Sequence, residues 1–323
     1  MNDTDRIQAI ESISIEHPYF MHALKSLQHG MMVRRSGGKP RHTLLIGEAG
    51  VGKTYLVGRL ESMNPSIEVD GVVRMPVVVV QTPPIPTVKN LAEATLQALG
   101  DPFAGRGTAS NMRDRALAII RNARVEKLIF EELHHFIDHG GQSASAAVAD
   151  WLKAFIDCSG LCVLLTGLPR SQRILSINEQ LRRRFSSHLV LEAFQYDEPK
   201  DQKLFRSVLN EIDKALPLDE MQGLAKPELA RRLYFASNGL LGYLMKLLVG
   251  AVEVMTAQSC RRLEVEHFET AFTEVIWSNG IGKLNPFSPD FSYERLDQFE
   301  QPYNVSIPIG KRTRFKAGER YAK

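Results

Sequence analysis

The chain has 323 residues, 44% apolar and 24% charged, a balance that fits a soluble globular protein with room for a good core and a second unit. No apolar run approaches the roughly 18 residues that cross a bilayer, the start MNDTDRIQAIES lacks the apolar centre of a secretory signal, and Cys158, Cys162 and Cys260 form no ligand set, so a cytoplasmic protein with reduced thiols and no membrane partner is expected. The net charge of +3 is uneven: residues 301–323 hold Lys311, Arg312, Arg314, Lys316, Arg320 and Lys323 against Glu319 alone, which marks a basic arm on a near-neutral body.

In chain order, residues 16–35 carry Phe20, Ala23, Leu24 and Leu27 at helical spacing, and SGGKPRH ends that helix. TLLIG is a short buried strand, and MPVVVVQ at 75–81 is a β-branched one stopped by PPIPT. KNLAEATLQALG and residues 111–123 read as helices, KLIFEE at 127–132 as a third strand, and SASAAVADWLKAFID as a helix with Val148, Trp151, Leu152 and Phe155 on one face. LCVLLTG at 161–167 and HLVLEAF at 188–194 complete the strands, with a helix, PRSQRILSINEQ, between them. Alternating strands and helices predict an α/β unit with a mainly parallel sheet covered on both faces. Residues 200–275 read as helices only, and from Gly280 the text turns irregular. The expected organisation is a helical lead-in over 1–40, an α/β core over 41–196, an α-helical lid over 197–278 and an extended basic, aromatic tail over 279–323.

The most specific signal is GEAGVGKT at 47–54, which matches G-x-x-x-x-G-K-[ST] and lies between a strand and a helix, as that motif requires. Gly47, Glu48, Ala49, Gly50, Val51 and Gly52 form the loop whose backbone amides wrap phosphate oxygens. Lys53 would reach the β- and γ-phosphates of ATP, and the Thr54 hydroxyl would ligate Mg²⁺. KLIFEE ends in Glu131 and Glu132: Glu131 takes the metal position, one methylene longer than an aspartate, and Glu132 is the candidate general base. The longer side chain suggests slow hydrolysis that suits a switch. Thr166 ends the next strand between the two phosphate-site strands, where its hydroxyl would touch the γ-phosphate or its water. His134, His135 and His139 have no fourth ligand nearby and are expected to pack or hydrogen-bond near Glu132 rather than hold zinc.

NEQLRRRFS at 178–186 precedes the last strand. In a ring-forming P-loop ATPase, an arginine there leaves its own subunit and stabilises charge on the neighbour's γ-phosphate. Arg184 is the first choice for that finger, and Arg182 and Arg183 are the second, or helpers in the interface; contact with nucleic acid and a solvated cluster are the competing readings of the run.

GEAGVGKT, LIFEELHH, LLTG, LRRRF and the helical SNGLLGYLMKLL together resemble an AAA+ ATPase over roughly residues 15–275. More narrowly, HPYFMHAL, QTPPIPTVKNLAEATLQALG and SNGLLGYLMKLLVGAVE are similar to the TnsC/TniB regulators of Tn7-like and CRISPR-associated transposons. The resemblance implies an ATP-gated bacterial protein that assembles with copies of itself on double-stranded DNA as rings or filaments. It would link a TniQ-type target selector to a transposase, with hydrolysis as a reset. In many AAA+ proteins the lid supplies an arginine after a GxxR pattern, whereas here Gly242 stands at that place and Lys246 follows one turn later. The DNA-contacting segment of that group corresponds to about 82–125, with Thr87, Lys89, Arg106, Arg113, Arg115, Arg121 and Arg124 as candidates for sequence-independent phosphate contact. Phe287, Phe291, Tyr293 and Phe299, with the basic arm, look like a docking segment for the transposase or a neighbouring subunit. A helicase loader or replication initiator would share the ATP site but should carry a winged-helix domain or a loader motif. A signalling NTPase switch should carry a repeat sensor domain.

Overall fold

The computed structural model describes residues 2–85, 87–139 and 141–304; the cations from Lys311 to Lys323 lie outside them. In chain order the elements are α1 (Asp3–Glu11), α2 (Pro18–Arg35), β1 (Thr43–Gly47), α3 (Lys53–Ser62), β2 (Ile67–Val69), β3 (Val72–Arg74), β4 (Val77–Gln81), α4 (Val88–Ala98) and α5 (Ala109–Asn122). Then come β5 (Lys127–Glu131), α6 (His134–His139), α7 (Gly141–Ser159), β6 (Cys162–Gly167), α8 (Arg173–Ile177), α9 (Glu179–Arg184) and β7 (Ser187–Leu191). Four helices close the list: α10 (Pro199–Ala215), α11 (Pro227–Ser237), α12 (Leu241–Ala257) and α13 (Val265–Ala271).

Five strands pair in parallel in the order β4-β5-β6-β1-β7. The two-residue period of a strand sends alternate side chains to opposite faces. Leu44, Leu128, Phe130, Val163 and Leu165 face α4, α5 and α7, while Leu45, Ile129 and Leu164 face α2 and α3. Both faces of β1, β5 and β6 are therefore dry, as their unbroken apolar runs require, while the edge strand β7 leaves His188 and Val190 exposed. The last strand ends at Leu191 rather than at 194, because Phe194 leaves the sheet to pack in the helical unit and donates its N–H to the Gly239 carbonyl. The single helix expected over 169–180 is a 3₁₀ turn followed by α8 and α9, with the break at Asn178, whose side chain caps α9 through Leu181 N–H.

The helical unit buries Phe205, Val208, Leu209 and Ile212 of α10 against Leu244, Leu247, Leu248 and Ala251 of α12. The N-terminal lead-in divides between two cores: Ile10 of α1 is buried in this helical core, and α2 lies on the sheet. Residues 12–17 thus cross between the two, over the phosphate loop. The irregular stretch after Gly280 is not an extended arm up to Asn304: Phe287 and Phe291 are buried in the lid core, and Tyr293 stacks under the Arg231 guanidinium at 3.8 Å. Of the four aromatics read as a docking segment, Phe299 alone is fully exposed. Among the described residues, no single helix is long and apolar enough to cross a membrane.

Candidate active site

The phosphate loop follows β1 directly. Gly50 and Gly52 have φ of 78° and 101°, a left-handed backbone that glycine adopts without a Cβ penalty, and Gly52 caps α3. Gly47 has no room for a side chain, since a Cβ would lie 2.5 Å from the Leu191 carbonyl oxygen. The Lys53 ammonium donates to the Gly47 and Glu48 carbonyls at 2.8 and 2.9 Å and so braces the loop. Burial lowers its pKa, while Glu132, Glu48 and Glu131 pull it back up.

Glu131 ends β5 and is buried. One of its oxygens accepts from the Gln81 amide at 2.7 Å, and the other has no hydrogen-bond partner. Burial raises its pKa, while Gln81 and the nearby Thr54 hydroxyl oppose the rise. A buried carboxylate with one free oxygen beside a threonine hydroxyl is a fitting donor set for a divalent cation. Glu132 then turns the chain with φ of 56°, which carries its carboxylate off the strand line to 3.3 Å from His134 Nδ1. Glu132, His134, Lys53 and Thr54 line one cavity of about 500 Å³. Its other wall is apolar: Ile13, Ile15 and Phe20 from the lead-in, and Ile212, Leu241 and Met245 from the lid. Thr166 is fully buried beneath the site, and its hydroxyl has no partner.

The lid touches the phosphate loop through backbone. Gly242 N–H donates to the Gly50 carbonyl at 2.8 Å, and a Cβ on Gly242 would lie 2.9 Å from Gly50 Cα. Any side chain at 242, an arginine included, would collide with the phosphate loop in this arrangement. Tyr243 covers Gly50 and meets Tyr303 edge-on at 5.2 Å. Residues that sequence reasoning missed include Gln81, whose signal was its place at the end of a strand paired in register with Glu131, and Arg170, held by Asp138 through bonds of 2.6 and 2.7 Å. The apolar wall over 13–17 carries no motif.

NEQLRRRFS lies at the other end of the sheet. Ser187 pairs with Thr43 at the start of β1, and the phosphate loop follows Gly47 at its end. Five residues of strand separate them, about 16 Å. Arg184 forms a two-bond ion pair with Asp157 at 2.5 and 2.7 Å. Arg182 and Arg183 are exposed, and Arg183 has only Glu179 one turn away as a partner.

The candidate phosphate-contact residues do not share one surface. Thr87 caps α4 and Lys89 is exposed beside it, both beyond the C-terminal end of β4. Arg121 and Arg124 lie at the opposite end, where Ala123 bonds to Met75, and they line a cleft with Arg34 and Arg35. Arg115 is committed internally to Asp101 and the Phe103 and Arg106 carbonyls. Its guanidinium fixes the loop between α4 and α5, which removes it as a free phosphate contact. Arg106 stacks on Phe103 at 4.9 Å, and Arg113 bonds to Asp114.

The sheet order, the phosphate loop, the paired acids and the helical lid define a P-loop ATPase fold of the AAA+ class. Solved structures agree on that fold. Cdc6p from Pyrobaculum aerophilum has 13% identity and a TM-score of 0.61 over 85% of this chain and 71% of its own. The ORC2 protein of Aeropyrum pernix has 14% and 0.57 over 78% and 67%. The ORC1 protein of the same organism, solved in complex with DNA, has 19% and 0.54 over 78% and 64%. The chain therefore spans roughly two thirds of these relatives. No curated protein matches the sequence. The profile of the bacterial TniB protein matches residues 6–196, more than half of the chain, and the chain belongs to the TniB family.

Proposed function

We propose that this protein is an ATP-dependent regulator of DNA transposition. It binds double-stranded DNA without sequence preference, assembles with copies of itself, and connects a TniQ-type target selector to a transposase. The observation that carries the assembly is the separation of the arginine segment from its own phosphate loop. Arginines one strand length away cannot serve that site, yet two of them are exposed. We assign the finger to Arg182 or Arg183, with Arg184 as the anchor that orients α9 through Asp157. Exposed Thr87 and Lys89 are the favoured DNA contacts, ahead of Arg106, Arg113, Arg121 and Arg124.

In this reading the apolar wall takes the base, and the loop amides and Lys53 take the phosphates. Thr54 and Glu131 would hold Mg²⁺, which neutralises charge on the phosphate oxygens. Glu132 removes the proton from the attacking water, and Thr166 orients that water or the γ-phosphate. The unpartnered Glu131 oxygen and Thr166 hydroxyl support these roles, since buried polar atoms are rarely left unpaired without a ligand. A replication-initiator-like ATPase is the second reading, favoured by the likeness to ORC and Cdc6 proteins.

The test mixes two inactive chains, Lys53→Ala and the double variant Arg182→Ala/Arg183→Ala, in the presence of duplex DNA. If the arginines act on the neighbour, the mixture regains ATPase activity that neither chain has alone. A folded double variant with full activity, or a mixture that stays inactive, overturns the assignment.

A further inference from the structure

We propose that Glu132, His134 and His135 form a site for a first-row transition-metal ion such as Zn²⁺, and that the ion acts as a brake on hydrolysis. Each of the three side chains offers a ligand atom, and those atoms lie within 4.8 Å of one another. The sequence alone, with no fourth ligand in view, favours packing or a hydrogen bond near Glu132 over zinc; the convergence of Glu132 with two of the three histidines reverses that expectation. The convergence comes from the left-handed turn at Glu132, which swings the carboxylate back over the first turn of α6. Glu132 and His134 are already 3.3 Å apart, about the ligand–ligand spacing around a tetrahedral ion with bonds near 2.1 Å. The two imidazole rings lie 4.4 Å apart, and side-chain rotation on ion binding would draw the three ligand atoms in from their present spacing of up to 4.8 Å.

The second observation is independent of the spacing. Nδ1 of His135 is buried and has no hydrogen-bond partner, and Nδ1 of His134 faces only the Glu132 carboxylate, an arrangement that an ion between the three would satisfy. The neighbouring charges leave the trio free to act: Asp138 is occupied by Arg170, and that pair neutralises the nearest guanidinium. Two imidazoles and one carboxylate select zinc-like ions over Mg²⁺, whose preferred ligands are oxygens. Three protein ligands leave a fourth position open to water.

An ion here would occupy the carboxylate that the proposed function uses as general base, while Lys53, Thr54 and Glu131 remain free for ATP. It would therefore slow hydrolysis and leave nucleotide binding intact, which prolongs the ATP-bound assembly. This kinetic consequence rests on the proposed role of Glu132; the binding site does not.

The test uses the full chain with Cys158→Ser and Cys260→Ser, because both thiols are exposed and would bind zinc themselves. Zn²⁺ affinity is measured without nucleotide against a chromophoric chelator, and Co²⁺ substitution gives the visible absorption of a low-coordinate site. The expected result is one ion per chain, with affinity at least tenfold weaker in His134→Ala and in His135→Ala. Zn²⁺ should slow ATP hydrolysis by the parent chain and leave hydrolysis by His135→Ala, whose residue does not line the nucleotide cavity, unaffected. No retained ion, or equal affinity in a folded His134→Ala/His135→Ala chain, overturns the site. Binding with undiminished hydrolysis supports the site and overturns the assignment of Glu132 as base.

Discussion

Gly242→Ala tests whether the lid holds the phosphate loop through backbone. Two effects act in opposite directions. Alanine is the better helix former by up to about 1 kcal/mol, and Gly242 lies in the first turn of α12. Against this, the new methyl would lie 2.9 Å from Gly50 Cα and 3.0 Å from the Gly50 oxygen. Both are backbone atoms, so neither can rotate away, and overpacking of this kind costs about 1–3 kcal/mol. If the lid shifts to make room, the bond from Gly242 N–H to Gly50 also goes, at about 0.5–1.5 kcal/mol. The clash and the lost bond win, and the variant should be less stable by about 1–3 kcal/mol, a fall of several degrees in Tm. A fluorescent ATP analogue should bind more weakly because the loop loses its brace. Differential scanning fluorimetry and an analogue titration read the two effects. A variant that is more stable by about 1 kcal/mol and binds the analogue normally would show that helix propensity alone acts and that the lid does not rest on the loop.

Three further outcomes follow from buried polar groups. Thr166→Val should leave stability unchanged or raise it, since the hydroxyl it removes is buried without a partner, yet it should slow ATP hydrolysis; loss of stability with normal hydrolysis would contradict the assigned role. His42 accepts from Val163 N–H through Nδ1, and burial lowers its pKa to about 4. The unfolded chain takes up that proton first, so stability should fall as pH drops from 6.5 towards 4, and denaturant melts of His42→Gln should show a flatter profile. Lys127 donates to the Leu27 carbonyl from a fully buried position, and its pKa is lowered to about 8 by burial. Between pH 8 and 10.5 the unfolded chain keeps a proton that the native chain has lost, so stability should rise with pH there, and the rise should be smaller in Lys127→Met.

The phosphate loop and the sheet were legible because their signals are local: fixed glycine spacing in one case, runs of β-branched residues in the other. The β2–β3 hairpin went unread although Asp70-Gly71, at φ of 54° and 73°, is the dipeptide that favours a tight hairpin turn. Its exposed Ile67, Val72 and Val73 hide the usual in–out pattern. Phe287 and Phe291 were misread because a segment that wraps a core without helix or strand has no period to detect. The anchoring of Arg184 depends on Asp157, 27 residues earlier, and no spacing rule links them. The absence of the lid arginine was visible; the approach of two glycines from distant segments was not.

The most direct test of the central claim is electron microscopy of the full chain with linear duplex DNA, with and without a slowly hydrolysed ATP analogue, beside the Arg182→Ala/Arg183→Ala variant. The account predicts rings or filaments around DNA only when the analogue is present, and their loss in the variant. Assemblies that ignore DNA, or a wild-type chain that stays monomeric with analogue and DNA together, would contradict it.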